Sequence, residues 1–559
     1  MTKNYKLVIT HIKQFFPYTR PFLGKQFVIL IILFLFSIVN LIQPLINKYA
    51  IDVFFKSPTI HVFINLTAYI LIVFAFSKVL TFLQQYYVTY VSSYLSLNLR
   101  KKLISKLINM EHSEISKVNV GDLFISFDMD IGTVQNVYTN TLVNYVLNFF
   151  TLILSIFFMV KLSWIFLLAT FITVPFTLIN NRIWFNPLKN IGKDTREKTG
   201  IVFDYVQSII NNLPHIQKIS KNHFFKLQFL KRYDKFIGVT FKSLKINLFF
   251  GAINDLILNV EQMFLFGVAG YLVCRHQLTI GGFVALSAYA SMFKGNLSTF
   301  VNFDINMTDL VVSSERLQKF LNLKQVETKD KTTIENIDSL NIENMNFEYI
   351  EGNPILENIN LNLHTGDKIT IIGESGGGKS TLISLISGLY LNDSIKVNGL
   401  NINSINTKDY RKNISIMSQE SFIFEGSLRD NLTLGTRYSN ADIFYACKLS
   451  AINNFVEEKG LDFHIENNGR NLSGGQKQRL ALTRLLLQKP KFVILDEITS
   501  GLDKDTEREI LKNIYNELKD STIISITHRD ENLKYADRIY KIEDKKMIEL
   551  HKNSSEKNQ

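Results

Sequence analysis

Nine consecutive residues, Gly373-Glu374-Ser375-Gly376-Gly377-Gly378-Lys379-Ser380-Thr381, carry the sharpest chemistry in the chain. Glycines let successive backbone N–H groups turn inward around phosphate oxygens, and a helix opening at the loop adds partial positive charge. Lys379 then reaches β- and γ-phosphates, and the Ser380 hydroxyl is a ligand for Mg²⁺. Context strengthens the reading: a strand-like run, Lys368 to Ile372, precedes the loop, and a helix-like run, Leu382 to Leu389, follows it. Further on, Lys491-Phe492-Val493-Ile494-Leu495-Asp496-Glu497 reads as a buried strand ending in two carboxylates. Asp496 suits a metal shell held through water, and Glu497 suits polarising an attacking water. Many strands end in acids; downstream of a phosphate loop, the pair points to nucleoside triphosphate hydrolysis.

These groups need a frame that delivers strand ends to one place. From Ile342 onward β-rich segments alternate with amphipathic helices, the pattern of an α/β domain, after a polar linker near residues 325–340. The first half is built differently. Six apolar stretches run from Phe27 to Ile46, Val62 to Leu83, Leu142 to Val160, Trp164 to Ile179, Leu248 to Val273 and Phe283 to Phe303. A helix needs about 20 mainly apolar residues to cross a bilayer, and helices of soluble proteins seldom stay apolar on every face for that length. The connections over 90–140 and 183–245 are long, polar and helix-patterned, so helices extending well past the bilayer are expected there.

Composition fits two solvents for two halves. The 559 residues exceed one core, and 46% hydrophobic residues, including 44 Phe, coexist with 20% charged ones. A net charge of +12 could signal nucleic acid, anionic lipid or basic membrane flanks. Its distribution favours the flanks: Lys and Arg crowd the N-terminus, Arg100 to Lys106 and Arg182 to Lys198, while the opposite turns hold only Lys56, Lys161 and Arg275. The positive-inside rule then puts both termini and both long connections in the cytoplasm, and no nucleic-acid face is expected. The first apolar run is too long for a signal-peptide core, so no cleavable leader is expected. Two cysteines, Cys274 and Cys447, exclude a disulfide framework. A Lys-, Asn- and Ile-rich composition hints at an AT-rich bacterial genome.

Polar groups inside the spans are candidates for a solute cavity: Lys78, Lys294, and Asn254, Asp255, Asn259, Glu261 and Gln262 in the fifth. On a helical wheel the last five fall within an arc of roughly 160°. A charge facing lipid costs at least about 2.5 kcal/mol, so the arc should face protein or water. A solute pathway, an interhelical hydrogen-bond patch and a stretch below the membrane surface are all compatible with it.

Leu472-Ser473-Gly474-Gly475-Gln476, followed by Lys477-Gln478-Arg479, resembles the signature sequence of ABC ATPases. Gln419 resembles the Q-loop glutamine, with Phe424-Glu425-Gly426-Ser427-Leu428 downstream; Ser500-Gly501-Leu502-Asp503 resembles the D-loop, with glycine where alanine is usual. His528 resembles the switch histidine, and Tyr349 the aromatic that stacks on adenine. In the first half Gly121-Asp122-Leu123 and Ser314-Glu315-Arg316-Leu317 fall where exporters carry similar residues. The chain is therefore similar to an exporter-type ABC half-transporter. The resemblance implies an all-α six-helix transmembrane domain over 1–320, a linker over 321–340, an α/β phosphate-loop nucleotide-binding domain over 341–550 and a polar tail over 551–559.

It also implies roles. ATP and Mg²⁺ would be bound by Tyr349, Gly373 to Thr381, Gln419 and Asp496, with Ser380, Gln419 and Asp496 around the metal. Glu497, His528, Lys379 and Gln419 would serve catalysis. Ser473, Gly474, Gly475 and Gln476 would cap ATP held by a second cassette, and Ser500 to Asp503 would communicate between the two. One set of motifs and no internal repeat imply a dimer, with a second copy or a homologous half-transporter, in the cell membrane with its cassettes in the cytoplasm. The expected activity is ATP-driven export of a small peptide, amphipathic drug or lipid. An importer of metal–chelator complexes on the same fold and a nucleotide-sensing membrane regulator are the alternatives. One departure is present: exporters commonly carry Thr-x-Val-Gly-Glu before the signature, and here Asn467 stands at the glutamate's place, with Glu466 one position early.

Overall fold

The computed structural model describes residues 2–550 apart from 57–58, 116–117, 119, 302, 327–330, 375, 419–420, 499–503 and 528. Its contacts divide it into two compact units: Met1–Ser105 with Val120–Asn322, and Lys106–Asn119 with Leu323–Gln559.

Among its described residues the first unit is helical throughout. Helices α1 (Thr2–Thr19), α2 (Leu23–Lys56) and α3 (Ile60–Ile108) come first. The helical run from Val120 widens into π-helical turns at Ser126–Asp130 and Val137–Thr141 before α4 (Leu142–Leu162). Ser163 is extended, and its Oγ accepts the Phe166 N–H at the start of α5 (Trp164–Asn211). Then come α6 (Asn222–Cys274), α7 (Ile280–Val301) and α8 (Phe303–Leu321). The polar connections expected to be helical are therefore helical over most of their length.

Helix α7 packs against α2 and α4, and α5 runs along α6. The core around α7 takes Leu41, Met159, Phe166, Leu265, Tyr289 and Phe293, all buried. The Tyr289 hydroxyl donates to the Leu41 carbonyl at 2.6 Å, and its ring stacks on Phe158 at 5.3 Å. At the head of α7 the Gly281 N–H donates to Asp52 at 3.0 Å. A Cβ there would stand 2.3 Å from the Lys48 carbonyl, so only glycine permits the approach to α2.

Among the described residues, five helical runs are long and apolar enough to cross a membrane. The expected sixth span, on α7, is not confirmed by that measure. Its glycines, serines and Lys294 lower its hydropathy, and Ala285, Leu286, Tyr289, Ala290 and Phe293 are enclosed by neighbouring helices rather than offered to lipid. Apolarity on all faces is demanded of a lipid-facing helix; an enclosed one is relieved of that demand.

The second unit holds β1 (Ser339–Glu348), β2 (Pro354–His364), β3 (Lys368–Gly373), β4 (Ile395–Val397), β5 (Leu400–Asn401), β6 (Ile414–Met417), β7 (Gly426–Ser427), β8 (His464–Ile465), β9 (Phe492–Asp496), β10 (Thr522–Ile526), β11 (Arg538–Glu543) and β12 (Lys546–Leu550). A six-stranded sheet runs β12-β11-β3-β10-β9-β6, parallel except for β12 at its edge. An antiparallel sheet runs β2-β1-β4-β5. The inner strands β9 and β10 are buried along nearly their whole length, which is why they read as unbroken apolar runs. One core lies under β3 and the antiparallel sheet; another, around Leu428, Ile443, Leu480 and Leu485, supports the signature segment.

Candidate functional site

Strand order decides where the chemistry meets. Strand β10 lies between β3 and β9, with Ile526 in register with both Ile371 and Asp496. The Glu497 N–H donates to the Ile526 carbonyl at 3.0 Å, and Thr527 N–H to Ile371 at 3.4 Å. Met417, at the end of β6, pairs with Leu495. The carboxyl ends of β3, β9, β10 and β6 thus lie side by side, each leading into one motif, as ligand sites on parallel sheets require.

The loop after β3 is shaped by backbone geometry. Gly373, Gly376 and Gly378 have φ of 156°, 85° and 98°. A Cβ on Gly373 would also stand 2.6 Å from the Ile542 carbonyl of neighbouring β11. Helix α9 (Lys379–Ile386) starts directly from the loop, three residues before the helix-like run read in the sequence, and stops short of Gly388, where φ is 68°. Lys379 is buried, and its Nζ donates to the carbonyls of Gly373 at 2.6 Å and Glu374 at 2.8 Å. Glu374 and Ser380 are exposed, Thr381 is buried, and Ser375 lies outside the described residues.

Burial, and then the neighbouring Glu497 charge, push the Asp496 carboxyl above its ordinary value, while Lys379 pulls it back. Asp496 with Ser380 is an oxygen donor pair at the end of β9 and the start of α9. That set fits Mg²⁺, which takes one or two protein oxygens and completes its shell with phosphate and water. Glu497 holds a left-handed φ of 48°, a conformation costly for a residue with a Cβ and common where a side chain is aimed for function. Gln419 and His528 follow β6 and β10 but lie outside the described residues, as do Ser500, Gly501, Leu502 and Asp503. Tyr349 is exposed, and its hydroxyl donates to Thr381 Oγ1 at 3.2 Å, so the aromatic ring stands beside the phosphate loop.

The signature opens helix α10 (Gly474–Gln488) on the other core. Ser473 Oγ accepts the Gln476 N–H at 3.2 Å, and Gln476 Oε1 accepts the Ser473 N–H at 2.8 Å, a complete capping box. Ser473 and Gly474 are exposed. The serine oxygen is already an acceptor, so its O–H, with the helix N-terminus behind it, is what it offers an anion.

Comparison with known proteins agrees with this geometry. Residues 356–500 match the family described as ABC transporter, and residues 27–297 match the ABC transporter transmembrane region. The chain belongs to the ABC transporters. An export ATP-binding/permease protein of Rickettsia bellii, so described provisionally, is 27% identical over 84% of this chain and 83% of its own. Provisionally described multidrug export ATP-binding/permease proteins of Bacillus subtilis and Staphylococcus aureus are 23% and 25% identical over 96% of this chain, covering 95% and 96% of their own lengths. A bacterial Atm1-family ABC exporter solved with ATP bound superposes with a TM-score of 0.82 at 18% identity, over 96% of this chain and 97% of that one. The fold is the exporter type, a helical membrane domain fused to one cassette, and the activity is ATP hydrolysis coupled to transport.

In the transporter's membrane unit the candidate cavity residues separate into two groups. Glu261 is buried and paired with Lys294 at 2.6 Å. Lys294 and Asn254 line a cavity of about 440 Å³ with Asn181, Ser291 and Ser298. Glu261 also borders a second cavity of about 380 Å³, whose other walls include Ile172, Phe176, Leu256, Val260 and Phe264. Asp255, Asn259, Gln262 and Lys78 are exposed on the chain. The fifth-span arc is therefore divided: one acid turns inward to a lysine of α7, while the apolar side of the wheel lines a cavity of its own.

Some supporting residues were not singled out from sequence. Arg484 of α10 is buried and donates to the carbonyls of Phe422 and Asn431, and to Asn431 Oδ1 at 3.0 Å. It fastens the signature helix to the chain that follows Gln419. An arginine inside Ala481-Leu482-Thr483-Arg484-Leu485-Leu486-Leu487 was a readable signal, because a charge in an apolar run must be paired. Arg484→Met strands those acceptors, and we expect a loss of about 2–4 kcal/mol of cassette stability. Hydrogen exchange of α10 amides in the full chain measures it. Arg529, next to His528, is held by the buried Glu507 at 2.6 Å, joining the histidine's segment to the helix Lys504–Glu517 beyond the D-loop.

In the altered segment before the signature, Asn467–Gly469 forms a short 3₁₀ turn, and Lys477 Nζ donates to the Asn468 carbonyl at 2.8 Å. The turn is braced from within the cassette by the signature helix.

Proposed function

We propose that two copies of this chain pair in the cell membrane, close two ATP sites between cytoplasmic cassettes, and drive a solute outward. The observation that carries the reading is the division of labour inside one cassette. Lys379, after β3, and Asp496 and Glu497, at the end of β9, flank the end of β10, while the cap at Ser473–Gln476, exposed at Ser473 and Gly474, opens a helix on a different core. A phosphate gripped by one set and capped by the other calls for two cassettes facing each other.

In this mechanism the glycine-rich loop binds the phosphates and Lys379 turns from its own loop carbonyls to the β- and γ-oxygens. Tyr349 packs on adenine. Mg²⁺, when bound, neutralises phosphate charge beside Ser380, Asp496 and Gln419. Glu497 orients and polarises the attacking water, and His528 stabilises charge on the transferring phosphoryl. ATP favours the closed pair because it binds that state better, and hydrolysis removes the preference. Small peptides, amphipathic drugs and lipids are the proposed cargo. The apolar walls beside Glu261 support a cargo with an apolar body, and the provisional multidrug descriptions of the Bacillus and Staphylococcus relatives point the same way. Purified transporter in sealed vesicles, with cassettes facing the medium, should accumulate labelled cargo inside only with ATP. ATP-driven loss of preloaded cargo would indicate import, and hydrolysis without movement of any of these cargoes would contradict the export reading.

A further inference from the structure

One ion pair serves the walls of two unlike cavities in the membrane unit. Lys294 lines the cavity of about 440 Å³ with the amides of Asn181 and Asn254 and the hydroxyls of Thr177, Ser291 and Ser298. Its partner Glu261 borders the cavity of about 380 Å³, walled by Ile172, Phe176, Val260 and Phe264. Among the described residues no other acid or base lines either cavity.

The two charges are not equally open. Glu261 is 4% exposed, its Oε2 accepts from Lys294, and its Oε1 is buried with no partner among the described residues. The Lys294 side chain keeps 19% of its surface. Among the described residues Glu261 is its one hydrogen-bond partner, although an ammonium carries three N–H donors. The larger cavity therefore presents a lysine and neutral groups able to donate, a setting for an anion. Chain order sets the two cavities at different depths. Ile172 and Phe176 precede Thr177 and Asn181 on α5, and Phe264 follows Asn254 on α6. With the connection over 183–245 in the cytoplasm, the polar cavity is the nearer to it and the apolar one lies further into the bilayer. That connection holds twelve Lys and Arg against four Asp and Glu, so the approach is positive as well.

We infer that the cargo is an amphipath with an anionic head, a phosphate or a carboxylate. The head binds Lys294 in the polar cavity, and the apolar chain lies along Phe176, Val260 and Phe264. The inference rests on the export reading and narrows its cargo. Glu261 offsets the cost of keeping an ammonium among apolar helices, and the head joins the pair through the remaining N–H donors. Head toward the cytoplasm and chain toward the bilayer middle is the posture of an amphipath in the inner leaflet, so it enters without turning over.

The chain carries its own reporter: Trp184 meets Phe250, a wall of the polar cavity, at 6.3 Å, and Trp164→Phe leaves it the sole tryptophan. The full chain with this change, in phosphatidylcholine vesicles without nucleotide, is titrated with dodecyl phosphate, dodecyltrimethylammonium and inorganic phosphate. At equal membrane content, dodecyl phosphate should shift Trp184 emission about tenfold or more tightly than the ammonium, the worth of a charge-assisted hydrogen bond. Inorganic phosphate should give no shift; a shift equal to that of dodecyl phosphate would make this a site for the free ion and overturn the amphipath. Lys294→Arg should keep the preference. Glu261→Gln combined with Lys294→Gln strands neither charge and should reduce the preference to less than about twofold. Equal or tighter binding of the ammonium, or an undiminished preference in the double variant, would overturn the inference. Sealed vesicles with ATP and the two radiolabelled amphiphiles separate the readings. An intact preference without uptake would count against export and leave the anion site standing; equal uptake of both would leave export standing and overturn the anionic head.

Discussion

Glu497→Gln is expected to bind ATP normally, hydrolyse it about 10²–10⁴-fold more slowly, and accumulate as a closed dimer. Glutamine keeps the shape and removes the charge. The backbone has little reason to shift, because the residue's N–H is held by Ile526 and its left-handed φ is set by the turn off β9. What disappears is the group that takes the proton of the attacking water. The substitution also removes the charge that helps raise the Asp496 carboxyl, so the metal shell should bind no worse. Steady-state hydrolysis, equilibrium nucleotide binding and chemical cross-linking of the purified variant check the three parts. Turnover at the normal rate would assign the base elsewhere.

Lys379→Ala should reduce either ATP affinity or turnover by about 10–100-fold, the loss of charge-assisted hydrogen bonds to phosphate. The buried ammonium presently donates to Gly373 and Glu374 carbonyls, so the alanine also loosens the loop it closes. Lys379→Arg discriminates the two effects. A planar guanidinium keeps the charge but does not fit the tight turn between those carbonyls, and should restore binding in part without restoring rate. Wild-type hydrolysis by Lys379→Ala would contradict the phosphate-loop reading.

Local chemistry was the most legible part of this sequence. The phosphate loop, the acids after β9 and the signature are contiguous, so residue type and spacing specify them before any fold is known. An α/β domain was implied by β-rich segments alternating with helices, and β3 and β9 by their own runs, but the order that puts β10 between β3 and β9 was not, because strand neighbours are chosen by packing rather than by local pattern. Lys379 and Ser380 read as loop chemistry in the sequence, yet they form the first turn of α9.

The membrane unit was less legible. Hydropathy finds helices that face lipid, and α7 is enclosed by its neighbours, so its small and polar residues weaken the very signal that would count it. A helical wheel groups Asn254, Asp255, Asn259, Glu261 and Gln262, but it cannot see the other helix, where Lys294 pairs with Glu261.

The shared nucleotide pocket can be tested most directly by complementation between tagged, co-purified chains. One mixed dimer carries Lys379→Ala on one chain and Ser473→Ala on the other; a second carries both changes on one chain beside an unaltered partner. If each pocket takes its lysine from one copy and its serine from the other, the first dimer keeps one intact pocket and about half the hydrolysis, and the second keeps none. Greater hydrolysis by the second dimer than by the first would place both residues in the pocket of a single chain and contradict the account.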